Sequence, residues 1–298
     1  MYNKHLETFI CVADLGSFSK AAEALYISST AVIKQINLLE NNLNLRLFDR
    51  THRGLIVTKA GESLYKDAKY IVQYCKESID RAQNAMNNQE DVIRIGTSLT
   101  TPPNIFMTLW PKIQEYYPKL KFKLIPFENT PENAREILAN LGQNIDVIAG
   151  IYDDTMLNFR KCNGLKISEQ PFCCAVGIHH KLANKEYLTI EDLYGENLLL
   201  MHRNWSQYVD ILRDDLSKNH PKINIIDFDF YNIEVFNRCQ NSEDLLLAIP
   251  NWENVHPLIK IIPVKWEYKI PFGLLYSLEP STKVQQLIEA TKKAIKEI

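Results

Sequence analysis

Between Leu6 and Gly61 apolar residues recur at helical spacing in three short runs, separated by gaps of only a few residues. Leu6, Phe9, Ile10 and Ala13 fall at i, i+3, i+4 and i+7, one apolar face of a helix. Gly16 stands where that helix must stop, and Ser17 or Ser19 can cap the next one. The second run turns Ala21, Ala22 and Leu25 inward. Two short helices that cross steeply need small side chains where their backbones approach, which the alanine pair supplies. Ser28 caps a third helix with Val32, Ile36, Leu39 and Leu43 as its buried stripe. No run is long enough to be stable alone, so the three must pack on one another.

The other face of the third helix carries Ser29, Thr30, Ile33, Lys34 and Asn37, with Gln35 on its flank. Hydroxyls, amides and one cation can meet phosphates and base edges in a major groove. Arg46, Arg50, His52, Arg53 and Lys59 follow against one acid, Asp49. Leu55–Val57 reads as a short strand and Gly54 as a turn, so a basic strand-turn-strand follows the helices. The plain alternative is a small helical packing unit with a solvated face.

The order of these residues resembles the N-terminal domain of LysR-type transcriptional regulators. The resemblance is carried by Leu6, Phe9, Gly16-Ser17-Phe18-Ser19, Ala21-Ala22, Leu25, Ser28, Ala31-Val32, Gln35-Ile36, Leu39-Glu40, Leu43, Leu47-Phe48, Arg50, Arg53, Thr58 and Ala60-Gly61. It implies a winged helix-turn-helix over residues 1–58. The expected DNA contacts are Ser17, Ser19, Ser28, Ser29, Thr30, Ile33, Lys34, Gln35, Asn37, Arg50 and Arg53. Three positions depart from the family. Ser29-Thr30 replace a usual Gln-Ser, Ile33 a usual Ser, and Asn44 a usual Gly. Ile33 exchanges a hydrogen-bonding group for one suited to a thymine methyl, so the DNA sequence preference should differ.

From residue 59 to about 88 no proline occurs. Leu64, Ala68, Ile71, Cys75, Ile79, Ala82 and Met86 form an apolar seam at spacings of three and four. About thirty residues at ~1.5 Å rise make a helix of roughly 45 Å. Its seam suits the same helix of a second copy, or else packing on its own globular domain. The resemblance makes residues 59–91 a dimerisation helix and hinge. It also makes the molecule a dimer or tetramer on a roughly two-fold DNA site, acting with RNA polymerase.

The remainder alternates strands and helices. Strands are expected at 92–99, 121–127, 145–151, 166–178, 198–201, 222–230, 245–249 and 273–278. Helices are expected at 106–117, 131–141, 189–193, 207–219 and 282–298. Such alternation means parallel pairing with crossover helices. Thr97, Ser98, Thr100 and Thr101 lie between a strand and a helix, where hydroxyls and free N–H groups can hold an anion or merely cap the helix. The order resembles the family's effector-binding domain, which is like a type 2 periplasmic binding protein. That implies two α/β lobes, one at about 92–163 with 270–298 and the other at about 164–269. The cleft between them would receive a small-molecule effector through Ser98, Thr100, Thr101, Asn129, Gly150, His202, Arg203 and Asn232. Arg203 suits an anionic effector, or is a solvated surface cation. The family's glycine-rich turn before the strand near Ile249 is replaced by Asn241-Ser242-Glu243-Asp244.

Composition agrees. A net charge of −2 over 298 residues does not suit a nonspecific polyanion binder, and residues 1–60 hold only 7 Lys+Arg against 5 Asp+Glu. DNA affinity should therefore rest on local contacts and on pairing of subunits. No apolar run reaches a membrane span and no signal peptide opens the chain, so a cytoplasmic protein is expected. The six cysteines, Cys11, Cys75, Cys162, Cys173, Cys174 and Cys239, contain no C-x-x-C pair and should be reduced thiols. His179-His180 reads as structural or exposed rather than as metal ligands, and no cofactor is expected. No nucleophile elbow, P-loop, zincin or dinucleotide fingerprint occurs. The whole is expected to be an α+β and α/β regulator rather than an enzyme. The alternative is an enzyme or ligand-binding module with an appended DNA-binding domain.

Overall fold

The computed structural model describes residues 3–51, 54–86 and 92–297. It divides into two compact units, Met1–Asn88 and Gln89–Ile298.

In the first unit, α1 (His5–Leu15), α2 (Phe18–Ala24) and α3 (Ser29–Leu43) enclose a core of Phe9, Val12, Ala21, Ala22, Val32 and Ile36. Gly16 ends α1 in the left-handed region at φ 60°. Ser17 and Ser28 cap α2 and α3, their hydroxyls accepting from the Lys20 and Ala31 N–H groups. Asn44 closes α3 at φ 53°, a conformation that Asn tolerates better than most residues, so it serves where the family usually has Gly. Leu43, expected inside, is 42% exposed, because the chain turns away at Asn44 before that last turn meets the core.

An antiparallel hairpin follows, β1 (Phe48–Thr51) against β2 (Gly54–Val57). Gly54 is thus the first residue of a strand, paired with Thr51, and not itself the turn. The Glu40 carboxylate ties hairpin to helix by accepting from the Leu47 N–H at 2.6 Å and the Phe48 N–H at 3.1 Å. The Thr58 hydroxyl donates to the Arg46 carbonyl and accepts from the Gly61 N–H. Gly61 is required by close approach, since a Cβ there would lie 2.4 Å from the Leu47 carbonyl oxygen.

Lys59–Met86 forms the long helix α4. Its first turns belong to the same core, with Ala68 fully buried and Leu64 and Tyr65 packed beside it. Lys69 pairs with Asp14 and Lys76 with Glu7, holding α1 alongside. Ile71 is 39% and Ile79 42% exposed, so of the expected seam Ala68 is buried, Leu64 and Cys75 are half-buried, and Ile71 and Ile79 are open.

The second unit holds two five-stranded sheets. The first contains β3 (Val92–Thr97), β4 (Lys121–Pro126), β5 (Val147–Ile151), β6 (Cys162–Pro171) and β12 (Lys269–Ser277), in the order β4-β3-β5-β12-β6. The second contains β7 (Cys173–Gly177), β8 (Asn197–Met201), β9 (Asn224–Phe228), β10 (Leu245–Ala248) and β11 (Ile259–Pro263), in the order β11-β7-β10-β8-β9. Strands β3, β4 and β5 run parallel, as do β8, β9 and β10. The chain passes between sheets after β6 and again before β12, where the Phe172 N–H meets the Tyr268 carbonyl. The lobe border expected at 163/164 therefore falls inside β6, whose pairing with β12 continues to Pro171.

Helices α5 (Asn104–Tyr116), α6 (Pro131–Ala139), α7 (Asp154–Arg160) and α10 (Thr282–Lys296) accompany the first sheet. α8 (Gln207–Asn219) and α9 (Ile233–Asn241) accompany the second. The helix expected at 189–193 is a single 3₁₀ turn, Glu191–Leu193. α7, α9 and β11 were not foreseen; each is short, and the polar ends of α7 and α9 hide their period. α5 starts after Pro103 with no side-chain cap. The hydroxyls expected there serve one another instead. Thr101 Oγ1 accepts from the Ser98 N–H and lies 2.8 Å from Ser98 Oγ.

Candidate nucleic-acid interface and ligand cavity

On α3 the exposed residues Thr30, Lys34 and Asn37 share one face, spaced i, i+4 and i+7. Ser29 and Ile33 flank them half-buried. Ser28 and Ser17 are occupied as caps, and Ser19 is exposed in the first turn of α2. Gln35 points back into the unit, where its side-chain oxygen accepts the Thr8 hydroxyl. Gln35, expected on the flank of the exposed face and among the DNA contacts, thus has that oxygen engaged inside the unit. The side chain of Arg50 and the whole of His52 and Arg53 lie outside the described residues. Arg46 is exposed beside Asp49 at 3.7 Å. Tyr26, 94% exposed at φ 54° in the turn before α3, was not anticipated, and its sequence neighbourhood carries no signal for it.

In the second unit, segments following strands of both sheets line a cavity of about 660 Å³ including its open mouth. Thr100 and Thr101 follow β3, Phe127 and Asn129 follow β4, and Gly150 and Ile151 end β5. Trp205 follows β8, Phe230 and Tyr231 follow β9, and Trp252 follows β10. Ligands of open α/β sheets bind beyond the carboxyl ends of parallel strands, and here two such edges face one space.

Among the described residues, three hydrogen bonds cross from lobe to lobe. Asn129 Nδ2 donates to the Tyr231 carbonyl at 2.6 Å and to Thr100 Oγ1 at 3.0 Å. Trp252 Nε1 donates to the Thr100 carbonyl at 2.9 Å. Asp153, almost fully buried, accepts from the Met156 N–H at 2.7 Å and, across the cleft, from the Gln207 N–H at 2.9 Å. One carboxylate thus caps α7 in one lobe and α8 in the other. Tyr231 packs between Trp205 and Trp252, at centroid distances of 5.8 and 4.6 Å, and its hydroxyl donates to the Leu247 carbonyl. Burial raises its pKa far above that of free tyrosine, so it stays neutral.

Of the residues expected in the cleft, Thr100, Thr101, Asn129 and Gly150 line the cavity. Ser98 stands just behind, bonded to Thr101. The other three are elsewhere. Asn232 caps α9 by accepting from the Val235 N–H. His202 is exposed, its Nδ1 2.9 Å from the Arg203 carbonyl oxygen. Arg203 is exposed and paired with Asp214 at 2.6 Å, a hydrogen bond that raises its pKa further. The cation on the cavity is Arg160, at the end of α7. It went unnoticed because α7 itself was not foreseen.

The described residues hold no cluster of His, Cys, Asp or Glu arranged for a metal, and the six cysteines are unpaired. His180 is buried, its Nδ1 accepting from the Leu182 N–H.

Sequence comparison agrees with this division of labour. A family described as "Bacterial regulatory helix-turn-helix protein, lysR family" matches residues 3–62, and "LysR substrate binding domain" matches residues 87–296. The chain belongs to the LysR family. Among curated relatives, a "Probable RuBisCO transcriptional regulator" of Phaeodactylum tricornutum is 28% identical over 202 residues, 67% of this chain and 64% of the relative. One of Cyanophora paradoxa is 35% identical over 121 residues, 41% of this chain and 37% of the relative. "HTH-type transcriptional regulator CysL" of Bacillus subtilis is 29% identical over 196 residues, 66% of this chain and 63% of the relative. The matched part thus spans less than two thirds of each of these relatives. Among solved structures, CbnR, a LysR family transcriptional regulator, superposes with a TM-score of 0.66 at 18% identity, covering 99% of both chains. CbnR complexed with its target DNA gives 0.63 at 17% identity, covering 99% of this chain and 100% of that one. These two likenesses concern the fold.

Proposed function

We propose that this protein is a ligand-responsive transcription regulator that binds promoter DNA as a dimer or tetramer and is not an enzyme. The observation that carries the reading is the exposed Thr30/Lys34/Asn37 face of a short capped helix, followed directly by a hairpin. A helix of that kind fits a major groove, and the hairpin beside it can grip the backbone. Ser19, Ser29, Ile33, Arg50 and Arg53 complete the interface. Gln35 supports it from behind, as do the capping hydroxyls of Ser17 and Ser28.

In this reading residues 1–58 bind DNA, 59–91 join subunits through the open part of α4, and 92–298 bind the effector. The lobes meet at the crossings near 171/172 and 268/269. Thr100, Thr101, Asn129 and Gly150 belong to the effector site, with Ser98 as support. The effector shifts the balance between lobe arrangements by binding one better than the other, and paired subunits pass the change to their DNA-reading heads and so to RNA polymerase. A cytoplasmic location follows from the DNA-binding role. No helix among the described residues is long and apolar enough to cross a membrane.

The test is a gel shift with the full chain on the DNA upstream of its own gene. Lys34→Ala and Asn37→Ala should weaken binding at least tenfold, and Trp252→Phe should leave it within about threefold, each tenfold corresponding to about 1.4 kcal/mol. Equal binding by Lys34→Ala, Asn37→Ala and the parent would remove α3 from the interface.

A further inference from the structure

The polar groups around the cavity are mostly spent on one another. Thr100, Thr101, Asn129 and Trp252 are joined to Ser98 and to the backbone by the bonds given above. Arg160 differs. It lines the cavity and makes no hydrogen bond or ion pair among the described residues. The Asp153 charge acts on it, yet the two Asp153 oxygens accept from the Met156 and Gln207 N–H groups rather than from the guanidinium. No Asp or Glu lines the cavity. Burial lowers the Arg160 pKa, yet a guanidinium remains cationic at neutral pH. Its place in the last turn of α7 favours a cation only weakly. Arg160 is half-buried at the cavity wall, and a bound anion there would supply acceptors for its fork of N–H groups.

Beyond these, most of the wall is apolar. Phe127, Leu138, Ile148 and Leu275 come from the first lobe, and Trp205 and Trp252 from the second. Among the described residues Arg160 is the one cation on the wall, so a ligand with one negative charge suits it better than a ligand with two. We infer that the cavity receives a small organic monocarboxylate with an apolar, preferably aromatic body, its carboxylate on Arg160 and its body against the tryptophans. This rests on reading the α/β unit as effector-binding and names the chemistry of its effector. The guanidinium fork matches two carboxylate oxygens. A phosphate monoester brings close to two charges and three acceptor oxygens, more than one unassisted guanidinium satisfies. Arg160 belongs to one lobe and the tryptophans to the other, so such a ligand touches both lobes and favours the arrangement in which they face each other.

The experiment is calorimetric titration of the full chain with benzoate, phenylacetate and hexanoate. Their uncharged amides, benzylamine and phenyl phosphate are titrated in parallel, and DNA binding of the same preparation is measured. At least one acid should bind, with its amide at least tenfold weaker, benzylamine silent and phenyl phosphate weaker than the acid. Arg160→Gln should abolish the preference for acid over amide while leaving the weak amide binding unchanged, and Arg160→Lys should restore part of it. A merely structural arginine would lower both affinities together. Equal binding of acid and amide, tighter binding of phenyl phosphate, or no binding of any acid overturns the inference. If Arg160→Gln does not fold, the acid-to-amide ratio of the parent chain decides. Binding of DNA without binding of any acid would leave the regulator reading intact and sink only the carboxylate. Failure to bind DNA would sink the regulator reading, whatever the acids do.

Discussion

Asp146 is 2% exposed and holds two cations. Its carboxylate accepts from Arg94 Nη2 at 2.7 Å and Lys283 Nζ at 2.8 Å, and also from the Arg94 backbone N–H. Arg94 starts the first sheet and Lys283 the closing helix, so one carboxylate pins α10 beneath β3. Asp146→Ala strands both cations and should cost roughly 3–5 kcal/mol of stability, read by chemical denaturation. A loss below about 1 kcal/mol would show that the pair is not coupled to folding. The cysteines yield a second prediction. Burial pushes the thiols of Cys173 and Cys239 up to about 12 and that of Cys174 higher still. At pH 8 all three are protonated and inaccessible, so a thiol reagent such as dithionitrobenzoate should leave them unmodified until the protein unfolds. Rapid loss of these thiols from the native protein would contradict their burial.

At the scale of elements, α4 changes character along its length. Its start is core, whereas Ile71 and Ile79 remain open on a stripe that also carries Tyr74 at 41% exposure. Ile71→Glu with Ile79→Glu should shift sedimentation towards the monomer and weaken DNA binding at least tenfold, while the fold of the first unit survives. Unchanged oligomer size would assign the stripe another partner. Much of this element could be read directly, because thirty residues without proline and with a three-and-four spacing admit little besides a helix. What could not be read was which part of the seam belongs to its own unit. Leu64 and Ala68 look the same in sequence as Ile71, and only α1, held by Asp14 and Glu7, separates them. The three N-terminal helices were legible for the same reason as α4, with caps and a stop glycine in addition. The short helices α7 and α9 are not, since no stop glycine stands directly before them as Gly16 does before the equally short α2, and β11 has only five residues. That gap had a consequence at the site. Thr100, Thr101, Asn129 and Gly150 follow strands that were foreseen, whereas Arg160 ends a helix that was not. Arg203, expected in the cleft from the family resemblance and its carboxylate-matching fork, meets a surface acid eleven positions on, Asp214.

On the scale of the molecule, the proposed function gives each unit one half of a switch. The first offers a helix face and a hairpin for DNA. The second offers a cavity whose lobes are joined by Asn129, Asp153 and Trp252. The crossing bonds suggest how occupancy is sensed. Asn129→Ala should leave DNA binding without ligand within about threefold and blunt the ligand-induced change, read as the shift in DNA affinity between ligand-free and saturated protein. A large loss of ligand-free DNA affinity would make Asn129 a folding residue instead. Phosphate contacts release counterions, so the DNA affinity of the parent should fall with salt, and removing Lys34 should flatten the log–log slope by about one unit.

The central claim is that the N-terminal helix and hairpin read DNA as part of a paired molecule. The most direct measurement is a nuclease footprint of the full chain on the DNA upstream of its gene, at low salt and then at physiological salt. The account predicts a protected, imperfectly two-fold site whose half-sites lie a whole number of helical turns apart, and its loss in the Ile71→Glu, Ile79→Glu protein. Uniform protection without a boundary, or a discrete site bound equally well by that double variant, would contradict it.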